Sequence, residues 1–230
     1  RYRPDYLARM VGRLREEDAP HFVTCDAISF GLPANDGEVF SSRYPQDEPI
    51  TLLRLLNGEV AIFGLCTIVR AALMAVGGYD EGLESAEDLD LWLRLLAADY
   101  RGSLVREILV EYRRRADSLS QSSAKLMRET AKAYANILPR LAGRPEAALA
   151  EQRRATAVAC SQFEGGADMI LAGQRRSGVA QMIASGYKGD SAKWRFALSV
   201  FSLLPPVALP AIALYRYGNR TAKTVREKNT

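Results

Sequence analysis

The sequence has one histidine in 230 residues, three cysteines and two tryptophans. A lone His21 removes most zinc sites and the Ser-His-Asp and Cys-His chemistries unless that residue itself serves. It stands between Pro20 and Phe22 at the head of an apolar run, where a structural role fits it better. Cys25, Cys66 and Cys160 are odd in number, far apart and without a C-x-x-C pair, which argues against a disulfide scaffold and for three reduced thiols in a cytosolic setting. A basic, positively charged leader followed by an apolar stretch is also missing from the first residues. Disorder is excluded for the bulk of the chain by a 48% hydrophobic fraction, and the length suffices for one sizeable core with an appendage.

The net charge of +4 hides a split. Residues 1–100 carry nine Lys/Arg against seventeen Asp/Glu, and residues 101–230 reverse the balance. The second half therefore suits either an anionic partner or a set of solvated helical faces. Aromatics interleaved with its basic residues are sparse, so a stacking platform for nucleic acid is not expected.

Local patterns give a coarse map. Pro4 and Asp5 open a helix over 4–17 whose expected apolar stripe is Leu7, Met10, Val11 and Leu14, and a chain that begins inside a packed element reads as a fragment. Residues 21–30 are β-branched and aromatic and read as a buried strand, followed by a Gly/Pro/Asn/Asp-rich loop over 31–49. A short helix at Thr51–Asn57, an extended Val60–Val69 and a helical turn at Ala71–Val76 follow. Leu89, Trp92, Leu93 and Leu96 recur at helical spacing within Ser85–Ala98, and Leu104–Tyr112 reads as a second strand. From Ser122 the pattern is helical, with breaks expected at Pro139, Gly143-Arg144-Pro145, Gly165-Gly166 and Gly186. Phe196–Tyr215 is twenty residues without a charge, followed by Arg216, Arg220, Lys223, Arg226 and Lys228. That length meets a membrane span, but Pro205, Pro206 and Pro210 oppose a straight one. An interfacial or re-entrant hairpin on an anionic leaflet and a buried helix pair are both open.

The most informative phrase runs from Gly77-Gly78-Tyr79-Asp80-Glu81 to Ser85-Ala86-Glu87-Asp88-Leu89-Asp90-Leu91-Trp92-Leu93-Arg94. Ser85 and Asp88 have the spacing of a capping box, which needs no function. A carboxylate at the mouth of a cleft could instead take a proton from a hydroxyl nucleophile, and a helix N-terminus would hold it rigid while lowering its pKa.

Taken with Cys66-Thr67-Ile68-Val69-Arg70 before it and Tyr112-Arg113-Arg114-Arg115-Ala116-Asp117 after it, this order of motifs resembles the acceptor half of a bacterial family 2 glycosyltransferase of the GT-A fold. Arg3-Pro4-Asp5-Tyr6-Leu7 resembles the segment that follows the metal-binding DxD acids of that family. The resemblance covers about residues 1–120. It implies an α/β fold, the C-terminal part of a GT-A domain, over 1–120; the residue patterns add an all-α appendage over 121–190 and an apolar, proline-containing segment with a basic end over 191–230. It implies Asp88 as catalytic base, Glu87 as its partner in the acidic pair, Trp92 as a wall on the acceptor side, although core packing on the Leu89–Leu96 face suits Trp92 better, and Gly77 and Gly78 as a tight turn beside the cleft. Arg115 stands where many relatives have a histidine; arginine cannot ligate a metal, so its role there would be phosphate pairing.

Apart from Asp88-Leu89-Asp90, which lies inside the acidic phrase itself, no DxD pair is present, and nucleotide-binding strands are lacking, so a divalent metal (Mn or Mg) and the nucleotide-sugar donor would be held mostly outside this chain. The absence of a Q-x-x-R-W sequence argues against a processive synthase. The expected activity is transfer of a sugar, with inversion, to the hydroxyl of a glycan or lipid-linked acceptor in envelope or polysaccharide synthesis, at the inner face of the cell membrane. The alternative is a non-catalytic membrane-surface or protein-docking module carrying a degenerate transferase remnant.

Overall fold

A computed structural model describes residues 1–33, 36–115, 123–188 and 191–225, with side chains to Arg216. It is mixed α/β, as expected at that level. Two compact units are present, Arg1–Leu119 with Lys132–Arg154, and Ser120–Ala131 with Ala155–Thr230. Residues expected to form a separate appendage at 121–190 are thus divided between the units, and those at 191–230 belong to the second.

The first unit is built on strand β1 (Phe22–Phe30), flanked by the short β2 (Thr67–Ile68) and by β3 (Gly102–Arg113). β1 runs antiparallel to β2 and parallel to β3, with register shifts at Cys25, Asp26 and Ala27. A parallel pair requires a long crossover. Here it contains α2 (Phe40–Arg43), α3 (Leu52–Asn57), α4 (Arg70–Ala75) and α5 (Glu87–Ala97). Most of the segment expected to be extended, Val60–Val69, is irregular apart from β2, while α2 and a bridge from Val39 to Ile28 lie inside the expected loop.

Alternation along β1 sorts its side chains onto two faces. Val23, Cys25 and Ala27 pack with Tyr6 and Met10 of helix α1 (Tyr6–Leu14). Phe22 points to the other side, where its ring stacks on Trp92 of α5 at 5.3 Å between centroids. The opposing β3 position, Gly102, carries no side chain and leaves room for the Phe22 ring. The first four residues of β1, Phe22 to Cys25, are buried on whichever face they lie, as in a strand covered on both sides, while the second half is only partly covered. Leu7 is 67% exposed, outside the stripe expected of it, because Tyr6 and Met10 take the inward face of α1.

In the second unit, the glycine pair read as a break does not interrupt the helix. α7 (Glu146–Leu171) passes through Gly165 and Gly166 without a stop, whereas Gly143 and Gly186 fall between elements and Pro139 lies in a 3₁₀ turn over Leu138–Leu141 that follows the helix ending at Ile137. Gly166 instead meets Gly178 of α8 (Arg175–Ala184): a Cβ on Gly166 would lie 2.6 Å from the Gly178 carbonyl oxygen. Two missing side chains let the helix backbones touch. Beside this crossing, Phe163, Ile170, Val179 and Met182 pack with Leu198 and Phe201 of α9 (Ala192–Leu203) and with Ala208 and Ile212 of α10 (Pro205–Val225). Lys188 lies over the rings of Phe163, Tyr187, Trp194 and Tyr215, and donates to the Tyr215 hydroxyl at 2.8 Å.

Gly166→Ala is expected to cost about 1–3 kcal/mol, because the new methyl meets backbone that cannot rotate aside. Hydrogen exchange should show the loss in α7 and α8, with protection of β1 and β3 unchanged.

Candidate functional site

The Gly-Gly turn and helix α5 are fastened to each other by a buried polar network. α4 ends at Ala75, and Gly77 and Gly78 follow with φ of 95° and 72°, a left-handed pair that lets the chain reverse within two residues. Their N–H groups donate to the carbonyls of Met74 and Leu73. Asp90 is 1% exposed and pairs with Arg94 one turn along α5, N to O 2.6 Å. Arg94 also donates from Nη1 to the Val76 carbonyl at 2.7 Å, which ties the end of α4 to α5. Asn136 of helix α6 (Ser123–Ile137) donates to both Asp80 (2.9 Å) and Asp90 (3.1 Å). Sequence reasoning overlooked Asp90, Arg94 and Asn136. The i, i+4 Asp–Arg spacing was a legible signal for the first two; Asn136 had none.

The start of α5 departs from a capping box. Ala86 occupies the cap position with φ 60°, left-handed for a residue with a Cβ, and offers no side-chain cap. The Ser85 hydroxyl is buried with no partner among the described residues. Asp88 Oδ1 accepts from the next residue's N–H, Leu89, at 2.7 Å. Its other oxygen, Oδ2, faces Gly64 so closely that a Cβ on that glycine would lie 2.8 Å away. Gly64 is thus a fourth residue that the sequence did not flag, since the approach spans distant segments. Non-glycine residues held left-handed cost about 1–3 kcal/mol and cluster at working sites, and here the strain at Ala86 lies beside a half-buried carboxylate.

Burial is the largest influence on Asp88 and pushes its carboxyl above the ordinary aspartate value; the Leu89 N–H opposes this and the Glu87 charge adds to it. Desolvation therefore outweighs the lowering expected of a helix N-terminus. Tyr79 is raised by burial first, and then by its electrostatic coupling to Cys66, Asp88 and Glu87, which places its hydroxyl in the same neighbourhood. On the sheet side, burial pushes Tyr6 and Cys25 each up to about 12 and raises Cys66 too, so these groups stay protonated at neutral pH. Tyr6 Oη lies 3.2 Å from Thr67 Oγ1, and Cys66 donates to the Phe63 carbonyl. All three cysteines are free thiols.

The expected site residues therefore do not converge as one group. Glu87, exposed, and Asp88 sit together with Tyr79. Gly77 and Gly78 line a polar hollow of about 390 Å³ with Asp80, Glu81, Asn136 and Arg140, whose lining does not include Asp88. Trp92 is 2% exposed in the core, its Nε1 buried without a partner among the described residues, so it has no open face with which to wall an acceptor. Arg115 is exposed just past β3. Among the described residues, no group of three His, Cys, Asp or Glu side chains is arranged to hold a metal ion, so these residues do not fit a metal held by this chain alone.

Comparisons with protein-family models, with curated proteins and with solved structures return no match.

The sign of the pH effect at Asp88 follows from its raised pKa. Protonation is easier in the folded state, so this group's stabilising contribution is full below the ordinary aspartate value and is lost as pH rises through the folded value. Asp88→Asn removes the buried charge. Thermal melts should show the variant more stable than the parent by a few degrees at pH 7, with the gap closing at pH 3.

Proposed function

We propose that the first unit is the acceptor-side part of an inverting sugar transferase, with Asp88 as the base. The observation that carries the reading is Asp88 itself: a carboxylate whose proton affinity is raised by burial, standing on the strained first turn of α5 directly after the Gly-Gly-Tyr-Asp-Glu turn. A carboxylate of very low pKa is a poor proton acceptor, and desolvation moves Asp88 toward the useful side. The parallel β1–β3 pair, with α5 in the connection between them, is compatible with this reading.

In the proposed step, Asp88 accepts the hydroxyl proton of the acceptor as that oxygen forms a bond to the anomeric carbon of a nucleotide-sugar donor. The carbon–oxygen bond to the nucleoside diphosphate breaks on the opposite face and its electron pair leaves with the diphosphate. Donor and metal contacts would come largely from outside these residues, and no role here is routed through the metal. Gly64 lets the backbone approach Oδ2 and so limits the directions from which a hydroxyl can reach it. Tyr79, 46% exposed, offers a ring and hydroxyl at the same spot.

The test uses the gene product at its full genomic length and a panel of uridine, guanosine and thymidine diphosphate sugars. Asp88→Asn should lower transfer by about 10²–10⁴-fold while donor binding stays near normal. Gly64→Ala, which forces Oδ2 to move, should lower turnover with the fold intact. Near-normal transfer by Asp88→Asn would leave the carboxylate a structural role only.

A further inference from the structure

Away from Asp88, the second unit presents the pair α9–α10. These helices form an antiparallel hairpin: the Trp194 and Tyr215 rings meet at 5.0 Å at its open end, while Leu198 and Phe201 share a core with Ala208 and Ile212 nearer the turn. One face of the hairpin is therefore buried against α7 and α8. The other is open and mostly apolar, with Ser199 and Ser202 as its exposed polar residues between Phe196 and Leu203. Phe196, Leu203, Leu204 and Leu214 are 73%, 81%, 57% and 69% exposed. Along α10 the outward positions Pro206, Val207, Pro210, Ala213 and Leu214 carry no polar side chain.

We infer that this hairpin inserts its turn and outer face into one leaflet of an anionic membrane. Three observations select lipid over other occupants. The first is backbone satisfaction at the turn, since donors left unpaired in hydrocarbon are costly. Leu204 N–H donates to Val200 O at 2.8 Å and Val207 N–H to Leu204 O at 3.0 Å. Pro205 and Pro206, the first two residues of α10, have no N–H to leave unpaired. Prolines that oppose a straight span thus suit a turn buried in lipid.

The second is charge. No charged residue lies between Phe196 and Tyr215, whereas residues 191–230 hold seven Lys/Arg and one Asp/Glu. The antiparallel fold brings Lys193 and Arg195 to the same end as Arg216, whose guanidinium is already paired with Glu164 (3.0 Å) and Asp168 (2.6 Å), and leaves the turn uncharged. The cations offered to an anionic headgroup layer over hydrocarbon are thus Lys193 and Arg195, with the basic residues that follow Arg216 in the sequence. A second copy of this chain would bring the same excess of positive charge.

The third is length. From Arg195 to Leu204 a helix rises about 14 Å, and half of a bilayer's hydrocarbon is about 15 Å thick. No helix among the described residues is long and apolar enough to cross a membrane, in keeping with a wedge that enters and returns. Membrane insertion by this hairpin is independent of the chemistry of Asp88.

The experiment is co-sedimentation of the whole chain with sucrose-loaded phosphatidylcholine vesicles containing rising phosphatidylglycerol. Binding should rise with the anionic fraction, and Leu203→Asp with Leu204→Asp should weaken it by about tenfold or more, since both changes lie at the exposed tip. Circular dichroism of the variant should match the parent. If it does not, Leu203→Trp supplies the readout: the emission it adds over that of the parent, whose Trp92 and Trp194 also fluoresce, should be quenched by lipids brominated along the acyl chain and protected from aqueous iodide. Equal sedimentation of a folded double variant, absence of binding to anionic vesicles, or an indole emission in Leu203→Trp quenched by iodide alone would each overturn the inference. So would a dimer in solution that the tip variant dissolves while vesicles leave the parent in the supernatant.

Discussion

The buried pair between Asp90 and Arg94 is the interaction on which the geometry around Asp88 depends. Two charges taken out of water are tolerated only when their remaining hydrogen-bonding capacity is met. Arg94 donates from Nε to Asp90 and from Nη1 to the Val76 carbonyl, and Asp90 accepts from Asn136 as well; the buried Nη2, 2.6 Å from Asp90 Oδ2, has no hydrogen bond among the described residues, so that capacity is met only in part. The pair thereby fixes the end of α4, the Gly77-Gly78 turn and α6 to a single helix. Removing one partner of such a pair costs about 3–5 kcal/mol, because the other is left charged and buried. Asp88 sits two residues before Asp90, almost opposite it on the helix, so the anchor that holds α5 inward also aims the Asp88 carboxylate away from the core toward Gly64.

This division of labour explains why the acidic phrase at the start of α5 is ambiguous on paper. Glu87, Asp88 and Asp90 all stand in the first turn of α5, where an acid's charge is ordinarily favourable, and spacing alone does not tell which one faces a neighbour. Burial separates them: Glu87 is solvated, Asp90 is paired, and Asp88 is desolvated with no cation paired to it among the described residues. The left-handed Ala86 and the unpartnered Ser85 hydroxyl show that local hydrogen bonding is not optimised at this point.

Strong periodicity was legible. β1, β3 and α5 lie within a few residues of where their patterns put them, because alternation and helical spacing report which face is covered. What depends on distant partners was not. Gly64 matters through Asp88, and Gly166 through Gly178, so each glycine has a meaning that only the packed chain reveals; the second was misread as a helix stop for that reason. Trp92 shows the converse. Its place in a motif suggested an acceptor wall, whereas its position on the apolar stripe, between Leu89 and Leu96, described the core role it has against Phe22. For the uncharged stretch 196–215, both readings hold in part: a helix pair buried on one face and bare on the other.

Desolvation, and not the helix terminus, governs Asp88. A ¹³C-detected titration of the aspartate side-chain carboxyls, assigned by comparison with Asp88→Asn, measures this directly. The midpoint for Asp88 should lie above the ordinary aspartate value of 3.8. A midpoint at or below that value would contradict it, and would leave Asp88 as a helix-start acid whose charge the fold favours.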